Sequence, residues 1–548
     1  MSRAALELYH DALLGHAVPV LSMLDREEHS PSHGCFDRTF WAWKFTDFPG
    51  ARFQEGLCFL AYLHATPIPG SAYCGSEPLA RWIAAGFDFW ARIQRPAGDF
   101  DEAYPHEHSL AATAFTAFYL SEAWGFAGDA LPDATRDRFR TALARAGDWL
   151  CRHDEHHGFL SNHLAAAAAA LAHAHRITGE ARFERRARHF VDKILAHQSE
   201  EGWYEEYGGA DPGYQTHGSF YLERILELWG DADLAASLDR SYRFLAHFVH
   251  ADGSVGGEYA SRNTQTYYPA AFEMAASRSG AAAWIGEHMR PSVDSLAAAG
   301  LGTVDLYNRF PLLNNTVFAA RAVAQGRRAA PPEPPPPAPA THHFPEAGLW
   351  VARRERYDLI VGLGKGGVVK LFDRAKGRLA LSDCGYVGRL ARGGVISSQW
   401  SEPERAVRFE ENAVEVDGRF YQVSRPLMDP PRFLAFRAFT LTLGRLERVA
   451  LWLKALLVRV LIHRKREVDL SFSRRIELRD GGIVLTDRLS GAAAVDVAEL
   501  RRGDFFSTIH MGSSRYFLPH ELTASAGEAV DVGSLRGGAE LRRTASLD

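Results

Sequence analysis

A run of prolines divides the sequence into two parts of different character. Seven of the ten residues at 331–340 (PPEPPPPAPA) are proline. Because proline fixes φ and has no backbone N–H, neither a helix interior nor a central strand can continue through this run, and a stiff, extended spacer is expected. The sequence therefore predicts three parts: residues 1–328, a proline-rich linker at 329–345, and residues 346–548.

The first part is predicted to be helical throughout. Segments such as 109–124 and 162–179 repeat apolar residues at the 3.6-residue spacing of a helix and alternate with short turns. Four turns begin with a glycine followed by polar or aromatic residues, and these glycines are 60, 44 and 51 residues apart: Gly98, Gly158, Gly202 and Gly253. Such a period is typical of stacked helical hairpins, whose equivalent turns gather on one side and would ring a common cleft.

The part that follows the prolines has the pattern of β-structure. Short runs rich in β-branched and aromatic residues are separated by turn signals, as in GLWVARRE (348–355) and YDLIVGLG (357–364). The predicted fold class is therefore a multidomain chain, helical first and β second, in which the second part forms an antiparallel β-sandwich.

Charge is distributed unevenly between the two parts. The chain carries a formal net charge of −5, which divides into −12 for residues 1–345 and +7 for residues 346–548. Binding of nucleic acid requires a basic stripe with interleaved aromatic residues, whereas here the aromatic-rich part is acidic. We therefore expect no nucleic-acid partner.

The cysteine content and the hydropathy pattern predict the cellular compartment of the protein. The five cysteines are scattered and form no C-x-x-C motif, which favours a reducing compartment over a disulfide framework or a zinc ribbon. The first residues lack the pattern of an export signal, and the sequence has no apolar run of about 18 residues, the minimum for a membrane-spanning helix. These observations predict a cytoplasmic protein.

One set of residues has the chemistry for cleaving an acidic sugar. Asn162 and His163 are adjacent, and Tyr214 follows about fifty residues later in DPGYQTH. Elimination at a uronic acid requires a group that neutralises the carboxylate, a base that removes the C5 proton and an acid that protonates the leaving glycosidic oxygen. An amide, an imidazole and a phenol can fill these roles without a cofactor. Asn162 also has a structural interpretation, as the N-cap of a helix that begins at His163.

These features resemble the heparinase II/III and alginate lyase group of polysaccharide lyases. The resemblance rests on the Asn162–His163 pair, on Tyr214 with its preceding glycine, and on FPEAGLWVARRE and KGRLALSDCGY, which are similar to the opening strands of that group's sandwich. It implies an (α/α) toroid followed by an antiparallel β-sandwich, and a carbon–oxygen lyase acting on an anionic glycan. It also implies that Asn162 neutralises the carboxylate, that His163 is a base or a neutraliser, and that Tyr214 is the acid and can also serve as the base.

The sequence departs from that group in one segment of the predicted sandwich. Where the group carries a histidine-rich H-x-H-x-D stretch, residues 362–373 read GLGKGGVVKLFD and contain no histidine. We therefore expect no metal site, no cofactor and no catalytic histidine from the sandwich. The departure keeps open a second class of function, a catalytically weakened glycan-binding or assembly protein of surface polysaccharide synthesis.

Further residues in or beside the four turns are predicted to bind substrate. Arg262 is the clearest, because a guanidinium can hold a carboxylate with two parallel hydrogen bonds. The other candidates are polar side chains of the same turns: Tyr104, His106, His108, Glu206, His217 and Glu258. A cleft for a polyanion should be locally positive, and the candidate arginines are Arg38, Arg52, Arg262 and Arg309. Carboxylates in the turns leave a glycoside hydrolase open, and a uronate C5-epimerase would share the first proton abstraction.

A basic and apolar segment at 445–466 is predicted to contact a membrane peripherally. Its centre, VALWLKALLVRVLI, is too short to span a bilayer as a helix and is flanked by arginine and lysine residues. The tryptophan and the basic flanks favour docking at the inner face of the membrane. The alternative is that Trp452, Leu456 and Leu457 are buried in the core of the second part.

Overall fold

The fold is known from a computed structural model, which describes residues 2–155, 158–293, 295–402, 405–423, 428–461, 466–491, 496–503, 516–522 and 527–547. In this part of the chain, the segment before the prolines is helical, as predicted. Its helices are α1 (Ser2–Met23), α2 (Arg38–Trp41), α3 (Gly56–Ala65), α4 (Glu77–Ile93), α5 (Leu110–Ala127), α6 (Asp133–Arg152), α7 (Ser161–Thr178), α8 (Ala181–Ala196), α9 (Pro212–Trp229), α10 (Ala232–Ala246), α11 (Ala270–Ala275), α12 (Gly280–Met289) and α13 (Leu306–Ala324).

The helices form a closed double ring. The inner ring consists of α3, α5, α7, α9, α11 and α13, each of which packs on the next, and α13 packs back on α3. Around the inner ring lie α1, α4, α6, α8, α10 and α12, and each of them packs on at least one helix of the inner ring. This arrangement confirms the (α/α) toroid.

Sequence composition determines which helices lie inside. In α7 every residue from Leu164 to Ala174 is buried, and a helix that is apolar on all sides must be surrounded by protein. The outer helix α8 instead buries a single stripe with helical spacing: Phe183, Ala187, Phe190, Val191 and Ile194. Small alanines in α7 also allow its neighbours α5 and α9 to pack closely against it.

The glycines of the four predicted turns are required by the backbone. Gly98, Gly158, Gly202 and Gly253 all have positive φ, between 79° and 139°, a region that favours glycine. At two of them a Cβ would collide with a neighbouring backbone carbonyl oxygen, 2.3 Å away at Gly98 and 2.5 Å away at Gly202. Each turn precedes an inner helix, α5, α7, α9 or α11, so the polar residues of the turns gather at one end of the toroid.

The part after the prolines forms two antiparallel sheets, which confirms the predicted β-sandwich. In the residues that the structure describes, the first sheet has the order β1–β2–β3–β4–β5 and the second β13–β12–β6–β7–β9–β10–β11–β14, with β8 paired to β9. The strands are β1 (Ala340–Phe344), β2 (Leu349–Arg353), β3 (Tyr357–Gly362), β4 (Val368–Asp373), β5 (Arg378–Asp383), β6 (Tyr386–Leu390), β7 (Val395–Ser397), β8 (Val407–Glu410), β9 (Ala413–Val423), β10 (Arg466–Arg479), β11 (Gly482–Gly491), β12 (Val497–Arg502), β13 (Glu528–Ala529) and β14 (Ala539–Ser546).

The first sheet is covered on both faces. One face packs on the second sheet through a core that includes Leu371 and Ile476. The other face packs on the toroid, where Phe372 and Ile360 meet Phe248. Because both faces are buried, β4 reads as a continuous buried run rather than an alternating one, and the sandwich is held firmly against the toroid.

The proline-rich segment is shorter than the predicted linker. Strand β1, at 340–344, occupies the last part of the range 329–345. The residues before it are attached to the toroid, since Ala330 N–H donates to the carbonyl of Ala276 (2.7 Å) and Glu333 N–H to that of Gly280 (2.9 Å). The prolines therefore run along the toroid surface into the first strand.

The second part is not exclusively β. Two helices, α14 (Pro430–Leu441) and α15 (Glu447–Leu461), lie between β9 and β10, and we refer to residues 430–461 as the helical hairpin. Asp429 caps α14 by accepting a hydrogen bond from Arg432 N–H (2.8 Å), and prolines occupy its first turn. The apolar residues at 449–461 are so closely spaced that they fit both the helical and the strand period, and in the structure this run is helical. Residues 462–465 of the predicted membrane-contacting segment lie outside the described residues.

The sequence left open the alternative that Trp452, Leu456 and Leu457 are buried in a core, and the structure does not place them in one. Trp452 is 60% exposed and Leu456 is 38% exposed, whereas Leu457 is half-buried. None of the helices that the structure describes is long and apolar enough to cross a membrane.

Candidate active site

A cavity of about 160 Å³ lies at the end of the toroid where the glycine turns gather. Its wall is built from successive inner helices and the turns before them, and it includes five of the predicted site residues: Asn162, His163, Tyr214, His217 and Arg262. The structure thus brings together the amide, the imidazole, the phenol and the guanidinium that the sequence suggested. Their roles remain predictions.

Asn162 is held by a buried carboxyl group. Its backbone N–H donates to Glu206 Oε1 and its Nδ2 to Glu206 Oε2, both at 2.8 Å. One of the two Nδ2 hydrogens is therefore engaged, and the other remains for a ligand. Helix α7 begins at Ser161 with Leu160 at the N-cap position, so Asn162 does not cap the helix. Glu206 was predicted to bind substrate, but here it orients Asn162.

Burial raises the pKa of Glu206 to about 7, against the hydrogen bonds from Asn162, which lower it. The carboxyl group is 2% exposed, and the ionised form is costly where water is excluded. The folded protein therefore binds a proton at Glu206 over a pH range in which the unfolded chain has released it.

We expect this proton to make stability depend on pH. A glutamate whose pKa rises from about 4.3 to about 7 on folding contributes stability at pH values below 4.3, and this contribution is lost as the pH rises through 7. Glu206→Gln cannot ionise, so the free energy of unfolding of the variant should improve relative to the natural protein by about 2–4 kcal/mol between pH 5 and pH 8. Denaturant unfolding of both proteins across this range measures the difference. Glu205→Gln is the matched control, and a pH-independent difference for Glu206→Gln would contradict the assignment.

His163 is oriented through one of its ring nitrogens. Its Nδ1 lies 2.7 Å from Glu155 Oε2, a carboxylate that is 3% exposed, while the imidazole itself is 22% exposed. The imidazole ring is nearly perpendicular to the ring of Phe115 (89°), with 5.6 Å between the centroids. A carboxylate at Nδ1 leaves Nε2 for a substrate proton and stabilises the imidazolium that would form.

A single buried aspartate positions both Tyr214 and Arg262. Asp211 accepts hydrogen bonds from the backbone N–H of Tyr214 (3.0 Å), of Arg262 (2.8 Å) and of Thr264 (3.3 Å). The Arg262 guanidinium lies 4.1 Å from the ring centroid of Tyr207 and 5.8 Å from that of Tyr214. The cation and the two phenols therefore form one stacked group at the cavity wall.

His217 is a neutral member of the wall. Its ring stacks on Tyr268 with 4.1 Å between centroids, and its Nε2 lies 2.7 Å from the Tyr221 hydroxyl. Burial lowers the pKa of His217 well below its usual value, and the nearby Arg52 lowers it further. A histidine in this state can exchange hydrogen bonds with a sugar hydroxyl but does not carry positive charge at neutral pH.

The cavity wall contains two guanidinium groups, of which that of Arg52 is already paired with Glu55 (2.6 Å). Arg52 and Arg262 line the cavity, and Glu102 is the only acidic side chain in the lining among the described residues. Of the predicted arginines, Arg38 and Arg309 do not reach this wall. One carboxylate is too few for the acid and base pair of a glycoside hydrolase, and Asp211 already serves to hold backbone groups. The alternative of a hydrolase therefore has no support from this site.

Besides Glu206, four predicted substrate-binding residues lie outside the cavity lining. Tyr104 packs on Phe436 of the helical hairpin with 5.1 Å between centroids. His106 contacts Arg95, and His108 Nδ1 lies 2.7 Å from Asp99. Glu258 pairs with Lys370 of the sandwich at 2.6 Å. These side chains are engaged by other partners, so their proximity to the turns does not bring them to the cavity.

Three aromatic residues of the lining were not singled out from the sequence: Phe115, Tyr207 and Tyr268. Burial raises the pKa of Tyr207 to about 12, against a lowering by Arg262, so its hydroxyl stays protonated. Tyr207 lies in the same turn as Glu206, and this position was the feature of the sequence that could have identified it as a site residue. Phe115 and Tyr268 belong to apolar stretches that gave no such signal.

The sandwich contributes lysines where the resembling lyases carry histidines. Lys365 reaches the toroid and donates from Nζ to the carbonyl of Ala260 and to Asn263 Oδ1, on either side of Arg262. Burial lowers the pKa of Lys365 to about 8. In the described part of the chain, no group of three or more His, Cys, Asp or Glu side chains could hold a metal ion.

Comparison with known proteins supports the resemblance to polysaccharide lyases. Residues 80–270 match the family model described as the Ulvan lyase N-terminal domain, a range that contains Asn162, His163, Tyr214 and Arg262. No curated protein matches the sequence. The predicted resemblance to the polysaccharide lyase group is confirmed by this match together with the fold comparisons.

Solved structures with a similar fold include lyases of acidic polysaccharides. A xanthan lyase from Paenibacillus superposes with a TM-score of 0.54 at 11% identity, over 92% of this chain and 47% of that one. The chondroitin AC lyase of Streptomyces coelicolor, solved with chondroitin sulphate, gives 0.52 at 13% identity, over 91% and 68%. A heparan sulfate lyase mutant from Pedobacter heparinus gives 0.42 at 13%, over 82% and 63%. The chain spans about half the length of the xanthan lyase, and the first two likenesses show a shared fold.

Proposed function

We propose that the protein cleaves an anionic glycan by β-elimination at a uronic acid residue. The observation that carries this proposal is that Asn162, His163, Tyr214 and Arg262 line one small cavity. The match to the Ulvan lyase N-terminal domain over the same residues supports it, and so does the fold shared with lyases of acidic polysaccharides.

The carboxylate of the uronic acid is bound first. Arg262 holds it with two parallel hydrogen bonds, and Asn162 donates its remaining Nδ2 hydrogen. Withdrawing negative charge from the carboxylate acidifies the C5 proton, because the charge that develops at C5 spreads into the same group. Glu206 and Asp211 fix these two donors in advance.

Proton transfer then breaks the glycosidic bond. His163 Nε2 removes the C5 proton, and the electrons of the C5–H bond form a double bond between C4 and C5. The bond from C4 to the glycosidic oxygen breaks, and Tyr214 donates its hydroxyl proton to that oxygen. Solvent then returns a proton to Tyr214 and takes one from His163.

The activity is tested by incubation with purified ulvan, xanthan, chondroitin sulphate, heparan sulfate and alginate. Elimination produces an unsaturated uronate, which is followed by its ultraviolet absorbance, and we expect a rise with at least one glycan that is absent in an Asn162→Ala, Tyr214→Phe double variant. The same incubation in heavy water detects deuterium at C5. Deuterium uptake at C5 without a rise in absorbance would show that the protein is a C5-epimerase and not a lyase. Glycan binding with neither signal would exclude both reactions and indicate a glycan-binding or assembly role.

Lys365 is expected to position Arg262 for substrate binding. Lys365→Met removes the hydrogen bonds that hold the backbone on either side of Arg262, so KM should rise about tenfold while kcat changes less than threefold. Initial rates over a range of glycan concentrations separate the two constants. Lys376→Met, in the turn before β5, is the matched control, and an equal loss in kcat would show that Lys365 acts in the chemical step instead.

A further inference from the structure

Two segments that are far apart in the sequence expose apolar side chains next to each other. One is the helical hairpin, and the other is the toroid loop at 42–50. They are joined by Arg437, whose guanidinium pairs with Asp47 (3.4 Å) and lies 5.7 Å from the ring centroid of Phe48. We define the apolar face as the exposed side chains of Trp43, Phe45, Phe433, Leu434, Leu443, Leu446 and Trp452.

This face is unusually apolar for a protein surface. Phe45 is 92% exposed, Trp43 is 69% exposed and Leu446 is 61% exposed. Single exposed apolar residues are common, but several exposed aromatic and aliphatic side chains on two segments in contact indicate an interaction surface. Two tryptophans and two phenylalanines in the group are characteristic of the boundary between lipid headgroups and acyl chains.

The charge around the face is positive. Within the hairpin, Arg432 pairs with Asp429 (3.2 Å), whereas Arg437 and Lys454 pair with carboxylates of the toroid. Arg445 and Arg448 are exposed beside the apolar side chains of the hairpin, and Lys44 is exposed between Trp43 and Phe45. The surface therefore complements an anionic layer, in contrast to the acidic toroid to which the loop belongs.

We propose that the apolar face docks the protein on an anionic bilayer surface. Charge complementarity favours this occupant over a second copy of the chain, because a two-fold dimer would bring the same basic residues of both copies together. The apolar side chains enter the interface, while the arginines and lysines remain at the headgroups. The hairpin and the loop at 42–50 act as one unit, so docking requires both segments.

Docking on this face also sets where the cavity lies. The hairpin contacts the turn that carries Glu102 of the cavity wall, since Phe436 packs on Tyr104 (5.1 Å) and Lys454 Nζ lies 3.4 Å from Glu107. It also contacts the loop after α6, where Glu447 Oε1 lies 2.6 Å from His153 Nε2. The hairpin therefore adjoins the cavity wall, and a docked protein would hold the cavity near the bilayer.

Co-sedimentation of the full-length protein with vesicles tests the proposal. Vesicles of phosphatidylcholine with phosphatidylglycerol should bind the protein at low salt, and vesicles of phosphatidylcholine alone should bind it at least tenfold less. Binding should weaken as salt is added, because the basic residues are screened. Trp452→Glu and Phe45→Glu, placed on the two segments separately, should each weaken binding at least tenfold. Leu522→Glu, at a leucine 78% exposed outside both segments, should leave it unchanged.

The variants change exposed side chains, and circular dichroism with thermal unfolding verifies that each remains folded. Absence of binding to anionic vesicles at low salt would overturn the proposal. It would also be overturned if the natural protein is a dimer that Trp452→Glu converts to a monomer without any effect on lipid binding, because the face would then be an interface between two copies.

Discussion

Replacing Tyr214 by phenylalanine is expected to lower kcat for glycan elimination by a factor of about 10²–10⁴, the usual contribution of a positioned acid. The substitution removes only the hydroxyl group, while the backbone N–H of residue 214 still donates to Asp211 and the ring still lies near Arg262. KM should change little, because the carboxylate of the substrate is held by other groups. Initial rates from the absorbance of the unsaturated product measure both constants.

Tyr207→Phe provides the matched control for this loss. Tyr207 lies in the same wall and its ring is closer to the Arg262 guanidinium than that of Tyr214, 4.1 Å against 5.8 Å, but no catalytic role is proposed for its hydroxyl. Its removal should reduce kcat less than tenfold. If Tyr207→Phe loses as much activity as Tyr214→Phe, or if Tyr214→Phe retains most of its activity, the acid has been assigned to the wrong phenol.

Replacing Asn162 by alanine is expected to lower kcat by about 10²–10³, the effect of losing one donor to a developing negative charge. The hydrogen bond between Nδ2 and the buried Glu206 carboxyl is lost as well, so the free energy of unfolding should fall by about 1.5–3 kcal/mol. Rates measured well below the unfolding temperature, together with denaturant unfolding, separate the catalytic effect from the structural one.

Asn308→Ala is the control for this substitution. Asn308 also lines the cavity, but its Nδ2 donates to Asp305 at 2.8 Å. Asn308→Ala should therefore lower kcat less than tenfold. Asn162→Asp should be at least as inactive as Asn162→Ala, because it places a second carboxylate beside that of the substrate and near Glu206. Retention of activity in Asn162→Asp would exclude a role in neutralising the carboxylate.

The part of the site that could be predicted from the sequence follows from the repeat. Glycines with positive φ recur before successive inner helices, and equivalent turns of a closed ring must lie at the same end. Asn162 and Tyr214 occupy corresponding places after two such turns, which is why residues about fifty positions apart share a wall. The fold followed from similar local signals, helical periodicity before the prolines and short β-prone runs after them.

The part that could not be predicted depends on side-chain pairings that the sequence pattern does not reveal. His108 and Glu258 lie in the right turns, but Asp99 and Lys370 engage them, and nothing in the local pattern reveals an ion pair of this kind. The interpretation of Lys365 required the packing of the sandwich on the toroid. The helical hairpin was missed because a dense apolar run such as 449–461 has no clear period, so that length and neighbouring structure decide between helix and strand.

The contact between His153 and Glu447 links the surface of the molecule to its chemistry. His153 precedes Glu155 by two residues, and Glu155 holds the imidazole of His163, so the position of α15 and the orientation of that ring are connected through one short loop. Equilibrium coupling between two binding sites is reciprocal. If a glycan in the cavity strengthens attachment of α15 to a bilayer by some factor, attachment must strengthen glycan binding by the same factor, and each affinity then serves as an independent measure of the other.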